Sequence, residues 1–371
     1  MSESARVVNR LVVKVGASVL TDGQGRLNAA RLRAVVEQLA ACLQAGRQLI
    51  VVSSGAVACG MGRLSLKRRP KELDQLQACA AIGQGELMHR YSEAFAGHGV
   101  TVAQVLLTEA DLSEELRYRN AKKTLQALMV RRVVPIVNEN DVVAVQEMAF
   151  GDNDRLSALV ACAVGAQLLV ILTDVDGVLQ DGRVIERIDQ LNHHHHALAL
   201  GASRETTLGG MASKLAAARI TGHSGIPLVI ANGTKPGVLA DILDGKPVGT
   251  LIVPSKAPLK YRKWRLAFSI RQPKGAVVVD GGAVEAVVQR GKSLLPSGVQ
   301  EVRGRFHAGE AIAILDPTGQ EVARGLSNFS SSDLTRIRGL RTDRLADVLG
   351  HQTSDEVVHR DNIVLTQEVG G

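Results

Sequence analysis

Six short segments gather residue types suited to phosphate chemistry. They are Lys14-Val15-Gly16-Ala17-Ser18, Ser53-Ser54-Gly55-Ala56-Val57-Ala58, Asn138-Glu139-Asn140-Asp141, Gly151-Asp152-Asn153-Asp154, Thr173-Asp174 and Gly209-Gly210-Met211-Ala212-Ser213-Lys214. Glycines at helix N-termini let backbone N–H groups approach anionic oxygens, and the helix dipole adds to the attraction. Lysines neutralise charge on a phosphoryl group in transfer. Asp and Asn side chains suit Mg2+ or an ammonium group. Any one segment has an ordinary reading, because Gly, Ser, Asn and Asp dominate turns and Asp154 serves equally as a helix N-cap. Lys14 is harder to explain away, since it sits in the apolar, β-branched run RLVVKVGASVL. Burying an unpaired ammonium is costly, so either its stem reaches solvent or a partner waits inside. The chain has no GxxxxGK[ST] and no GxGxxG, which weakens a P-loop or dinucleotide-binding reading.

The elements that must position these segments follow from the hydrophobic pattern. Strand-like runs fall at 11–15, 48–52, 100–107, 133–137, 167–173, 227–231 and 249–253. Helical patterns lie between most of them, at 28–45, 73–95, 121–130, 154–164, 210–221 and 235–243. Strands apolar on both faces with helical crossovers predict a three-layer αβα sandwich around a mainly parallel sheet. Ligands of such sheets bind beyond the carboxyl ends of the strands, where the six segments fall. Past residue 275 the pattern changes to short strands at 276–279, 301–302, 311–315, 321–326 and 362–365, which predicts a small β-rich domain. The expected division is 1–256 for the α/β domain, 257–274 for a linker and 275–371 for the β-rich domain. The stretch 256–265 carries five basic residues and no acid, and reads as a linker or solvated edge.

Composition narrows the class. The 371 residues are 45% hydrophobic and 22% charged, as in ordinary globular proteins. The first residues lack the apolar core of a signal peptide, and no run is long enough to span a membrane, so a cytoplasmic protein with no membrane partner is expected. The four cysteines lack metal-ligand spacing and read as reduced. The histidines at 193–196 diverge in either helix or strand and read as a loop rather than a metal site. The net charge is +7, yet residues 275–371 hold 10 Lys and Arg against 13 Asp and Glu. That excess of acid argues against a nucleic-acid-tracking surface there.

Taken in order, VVKVGASVL, VSSGAVACG, VPIVNENDVV, GDNDRLSALVA, LLTDVDGVL and GGMASKLAAARIT resemble the amino acid kinase family, and within it the glutamate 5-kinase group. The tail from GAVVVDGG to VHRDNIVL resembles a PUA domain. The resemblance implies ATP-dependent phosphorylation of the side-chain carboxylate of L-glutamate, the first step of proline biosynthesis. It implies Lys14 and Lys214 flanking the phosphoryl group, with Asp154 orienting both. Gly16, Thr173, Asp174 and Gly209, Gly210, Met211, Ala212, Ser213 and Lys214 would line ATP. Ser54, Gly55, Ala56, Asn138, Asp141 and Asn153 would bind glutamate, with Asp141 facing its ammonium group. Mg2+ would bridge phosphate oxygens with few protein ligands.

The resemblance also suggests feedback inhibition by proline, a homodimer or homotetramer, and functional coupling to glutamate-5-semialdehyde dehydrogenase. The chain departs from the family at Ala17, where a hydroxyl residue is common, and at Leu208, where Thr is common. It also departs in the loop Val178-Leu-Gln-Asp-Gly182, and at Ser213, where Thr is common. The alternatives are a sibling kinase acting on another acid, and an RNA-binding protein acting through the PUA-like domain.

Overall fold

The computed structural model describes residues 8–22, 26–143, 153–191, 195, 210–254, 261–264, 266–267, 273–351 and 354–366. The chain divides into two compact units, Met1–Pro258 and Leu259–Gly371.

In the first unit the elements run β1 (Arg10–Val15), α1 (Ala17–Leu20), α2 (Ala29–Gln44), β2 (Gln48–Ser53), α3 (Ala56–Arg63), α4 (Leu73–Ala96), β3 (Val102–Leu107), α5 (Glu109–Ser113), α6 (Glu115–Val130), β4 (Val134–Glu139), α7 (Asn153–Val164) and β5 (Leu168–Thr173). Then come β6 (Leu179–Gln180), β7 (Arg183–Val184), β8 (Arg187–Ile188), α8 (Met211–Gly222), β9 (Leu228–Asn232), α9 (Val238–Leu243) and β10 (Thr250–Ile252). Eight strands form one sheet in the order β3-β4-β2-β1-β5-β9-β10-β8. It is parallel except that β10 runs antiparallel to β9. This is the mainly parallel α/β architecture that the strand–helix alternation predicts. Two differences stand out at the sequence level. Helix α6 begins six residues earlier than its pattern indicates, because the Glu114 carboxylate caps the N–H groups of Leu116 and Arg117. Helix α3 was not legible at all, since AVACGMGR is too glycine-rich to show a helical stripe.

The two faces of the sheet carry different helices. Leu11, Val13 and Val15 of β1, with Leu49 and Val51 of β2 and Leu168, Val170 and Leu172 of β5, pack against α2, α4 and α9 in one core. Side chains alternate along a strand, so Val12 and Lys14 point to the opposite face, where α7 packs on β1 and α8 packs on α7. Buried alanines at 158, 161, 217 and 218 let those two helices approach closely. Lys14 therefore lies under a helical roof rather than at a solvent edge. No helix among the described residues is long and apolar enough to cross a membrane.

The second unit holds α10 (Tyr261–Trp264), β11 (Gly275–Val279), α11 (Gly281–Val284), a π-helical turn at Glu285–Gln289, β12 (Val299–Gly304), β13 (Ala311–Leu315), β14 (Glu321–Leu326), α12 (Ser331–Ile337), α13 (Leu345–Leu349) and β15 (Ile363–Leu365). Its sheet has the order β12-β11-β13-β14-β15 over a core of its own that includes Val277, Ile312, Phe329 and Leu334. The short helix α10 falls within the stretch expected as a linker, and its Trp264 is buried.

Candidate active site

Three charged side chains from three elements meet under the roof. The Lys14 ammonium lies 2.7 Å from Asp154 Oδ1, and the Lys214 ammonium lies 3.1 Å from Asp154 Oδ2. Lys14 comes from β1, Asp154 from the first turn of α7 and Lys214 from the first turn of α8. All three are buried, with exposures of 6%, 1% and 5%. The Ser213 hydroxyl donates to Asp154 Oδ2 at 2.6 Å. Burial by itself raises a carboxyl pKa. Here the charges of Lys14 and Lys214 and the hydrogen bonds made to the carboxylate outweigh that effect, and Asp154 is held below its ordinary value. The cluster is thus two ammonium groups bridged by one carboxylate, an excess of one positive charge. Gly16 adjoins it. A Cβ there would stand 3.1 Å from the Leu172 carbonyl and 3.7 Å from the Lys14 ammonium, so glycine leaves the approach to Lys14 open.

A second group lies at the ends of β2 and β4. Asn138 donates from Nδ2 to Gln84 Oε1 at 2.9 Å, and its Oδ1 accepts from the Glu139 backbone N–H at 2.9 Å. Asn153, one residue before Asp154, donates from Nδ2 to Asn138 Oδ1 and to Ser54 Oγ, both at 2.9 Å. The amide chain thus reaches the lysine cluster through consecutive residues of α7. Gly55, at φ +116°, makes the left-handed turn between β2 and α3, and Ala56 opens the helix. Helix α4 is clamped to α3 by two glycines. A Cβ on Gly83 would sit 1.8 Å from the Ala56 carbonyl, and one on Gly60 would sit 1.8 Å from the Cys79 carbonyl. Gln84 follows Gly83 in α4 and meets Asn138 at the end of β4.

Asp141 is buried close by in sequence, just past β4. Its carboxyl is pushed up to about 6 by burial, with the charge of Arg69 opposing the rise. Burial in turn lowers Arg69, against the pull of Asp141.

The remaining expected residues form a third locus. Thr173 donates to Asp174 Oδ1 at 3.1 Å, and its carbonyl accepts from Gly233 N–H at 2.8 Å. Asn232 reaches across to Asp176 at 2.9 Å, and Lys235 pairs with the same carboxylate at 2.8 Å. These contacts fasten the turn after β5 to the turn after β9. The divergent segment after Asp174 is the β6–β7 hairpin. Its turn residues Asp181 and Gly182 both have positive φ, and Thr250 Oγ1 accepts from Val178 N–H at its base. Met211 and Ala212 lie in the first turn of α8 beside Gly210, whereas Gly209 lies outside the described residues. Most of the histidine run lies outside them as well.

The structure therefore draws Lys14, Asp154, Ser213 and Lys214 into one cluster, and Ser54, Asn138 and Asn153 into another. Sequence reasoning missed Gln84, Arg69, Asn232 and Lys235. Gln84 lies mid-helix and Arg69 lies in the basic run KRRPK, so both read as solvent-facing. Asn232-Gly233-Thr234-Lys235 does follow a strand, and the rule that placed the other segments applies to it as well. For Mg2+ the fit is poor. No group of three His, Cys, Asp or Glu side chains among the described residues could hold a metal ion, and Asp154 is occupied by its lysines.

Residues 9–232 match the model of the amino acid kinase family, and residues 275–349 match that of the PUA domain. A glutamate 5-kinase from Thermus thermophilus is 47% identical over 368 residues, covering 97% of this chain and 98% of that protein. A glutamate 5-kinase from Moorella thermoacetica is 45% identical over 363 residues, covering 96% of each. Among solved structures, a carbamate kinase from Giardia lamblia bound to AMP-PNP covers 68% of this chain and 100% of its own, with 18% identity and a TM-score of 0.49. By the family match and by similarity along nearly its whole length, the chain belongs to the amino acid kinase family, on the branch of the glutamate 5-kinases.

Proposed function

We propose that the chain transfers the γ-phosphate of ATP to the side-chain carboxylate of L-glutamate, yielding L-glutamyl 5-phosphate and ADP. One observation carries the reading: two buried lysines from different elements are held together by a single carboxylate. A carboxylate oxygen of glutamate attacks the γ-phosphorus, and the bond from that phosphorus to the β,γ-bridging oxygen breaks. The electron pair leaves with ADP. The nucleophile is already ionised at neutral pH, so no general base is needed, and catalysis rests on position and charge. Lys14 and Lys214 lie on either side of the phosphoryl group and take up its charge, while Asp154 keeps their ammonium groups apart and aimed. Ser213 steadies Asp154.

Ser54, Gly55, Ala56, Asn138, Asp141 and Asn153 hold the amino acid. Gly16, Thr173, Asp174, Gly209, Gly210, Met211 and Ala212 lie along the nucleotide. Mg2+ would enter with the nucleotide phosphates and supply positive charge there. The acyl phosphate product is labile, so the next reaction of proline biosynthesis, its reduction, must take it up quickly.

A hydroxamate assay with ATP and Mg2+ tests the reading. Glutamate is expected to give γ-glutamyl hydroxamate, with ADP released in equal amount. Turnover with N-acetylglutamate or aspartate but not with glutamate would overturn it. The same assay run with proline tests the feedback inhibition expected from the resemblance.

A further inference from the structure

Two buried side-chain amides in the second cluster each lack one hydrogen bond, and the polarity of the network says what each lacks. The Glu139 N–H identifies the Asn138 atom facing it as oxygen. The other end of Asn138 is therefore its Nδ2, which donates to Gln84, so the contacted atom of Gln84 is Oε1. Asn138 Oδ1 also accepts from Asn153, so that contact is Nδ2 of Asn153. Each assignment forces the next. What remains is Gln84 Nε2, a buried donor, and Asn153 Oδ1, a buried acceptor, neither with a partner. Gln84 is only 8% exposed, and buried amide atoms are rarely left unpaired without a reason.

We propose that Gln84 is a substrate-binding residue whose Nε2 donates to the α-carboxylate of the amino acid. The inference rests on the kinase reading above and adds a specificity determinant to it. A ligand completing the network must bring an acceptor to Gln84 and a donor to Asn153. An α-amino acid carries both on one carbon. Its ammonium group can donate to Asn153 Oδ1 and lie near the buried carboxylate of Asp141. The side-chain carboxylate is committed to the Lys14–Lys214 cluster. Gln84 is on α4, which covers the sheet face opposite that cluster, and the proposal gives it the end of the substrate remote from the reacting carboxylate. Gln84 is uncharged, so it selects by position without adding to the positive charge at the lysines.

The test compares L-glutamate with 4-aminobutanoate, which keeps the ammonium group and the reacting carboxylate but lacks the α-carboxylate. The KM for glutamate and the inhibition constant of 4-aminobutanoate against glutamate are measured for the wild-type chain, Gln84→Leu and Gln84→Glu. Gln84→Leu removes the donor and is expected to raise the glutamate KM about tenfold more than it raises the 4-aminobutanoate constant. Gln84→Glu keeps the oxygen that Asn138 bonds and places negative charge toward the α-carboxylate, so it should widen that difference further. The KM for ATP should stay unchanged in both. A merely structural role would move both amino-acid constants together, and equal shifts in both variants would overturn the proposal. If the wild-type chain formed no hydroxamate from glutamate, the kinase reading itself would fail, a result distinct from equal shifts in an active enzyme.

Discussion

Asp141 gives a prediction in which stability and function oppose each other. The perturbation is Asp141→Asn, which keeps the shape and removes the ionisation. The folded chain holds this carboxyl at about 6, against an ordinary value near 4 in the unfolded chain. The fold thus favours the protonated form. As pH rises past about 4 the unfolded chain releases its proton first, and stability is lost until both forms are ionised above about 6. Two pKa units correspond to up to about 3 kcal/mol at full ionisation.

Between pH 4.5 and pH 8, the stability of Asp141→Asn relative to wild type should therefore rise by about 2 kcal/mol. Urea unfolding of the full chain by circular dichroism at the two pH values measures this. The single tryptophan, Trp264, is buried in the second unit, and its fluorescence transition should not shift. The same substitution should raise the KM for glutamate at pH 8. In the wild-type chain that KM should rise as pH falls through about 6, because a protonated Asp141 cannot pair with an ammonium group. A stability difference that does not change with pH would refute the claim that burial without a full counter-charge sets this carboxyl.

Removing either ammonium group, in Lys14→Ala or Lys214→Ala, should lower kcat by about 10²- to 10³-fold, the range for losing one preorganised charge contact at a transition state; near-normal single-turnover rates would exclude that lysine from the mechanism. Ser213→Ala removes the 2.6 Å hydrogen bond to Asp154, while Ser213→Thr keeps the hydroxyl. Steady-state kinetics should show a several-fold fall in kcat for the first and little change for the second. Gly60→Ala places a Cβ 1.8 Å from the Cys79 carbonyl. It should destabilise the first unit by roughly 3 kcal/mol or more and raise the glutamate KM by displacing α4, as thermal melts and kinetics on the same sample would show.

Lys14 drew attention in the sequence as a cation in a β-branched run, but that run alone left two readings open, a stem reaching solvent or a buried partner. The sheet rule placed its segment on a rim with the others, and the pairing with Asp154 was an expectation of the resemblance. Asp154 and Lys214 were legible as members of turn segments at that rim, but their meeting at a single carboxylate depends on how closely α7 and α8 pack. Helical alanines do not announce that approach. Gln84 was hidden for a different reason. A glutamine in a helix pattern reads as surface, whereas the fold buries it and bonds it to Asn138 of β4. The reversed direction of β10 was equally hidden, since an antiparallel edge strand has the same apolar pattern as a parallel one.

The Glu139 N–H has a further consequence. It belongs to the last residue of β4, whose register is held by parallel pairing with β3 on one side and β2 on the other. A slip of one residue would turn Asn138 to the opposite face and erase the polarity of the whole amide chain. In the proposed binding mode, the direction of the amino acid is therefore set by the backbone of the sheet. A substitution such as Gln84→Glu changes the polarity at one end of the chain of amides, while the register of β4 fixes Asn138 at its centre.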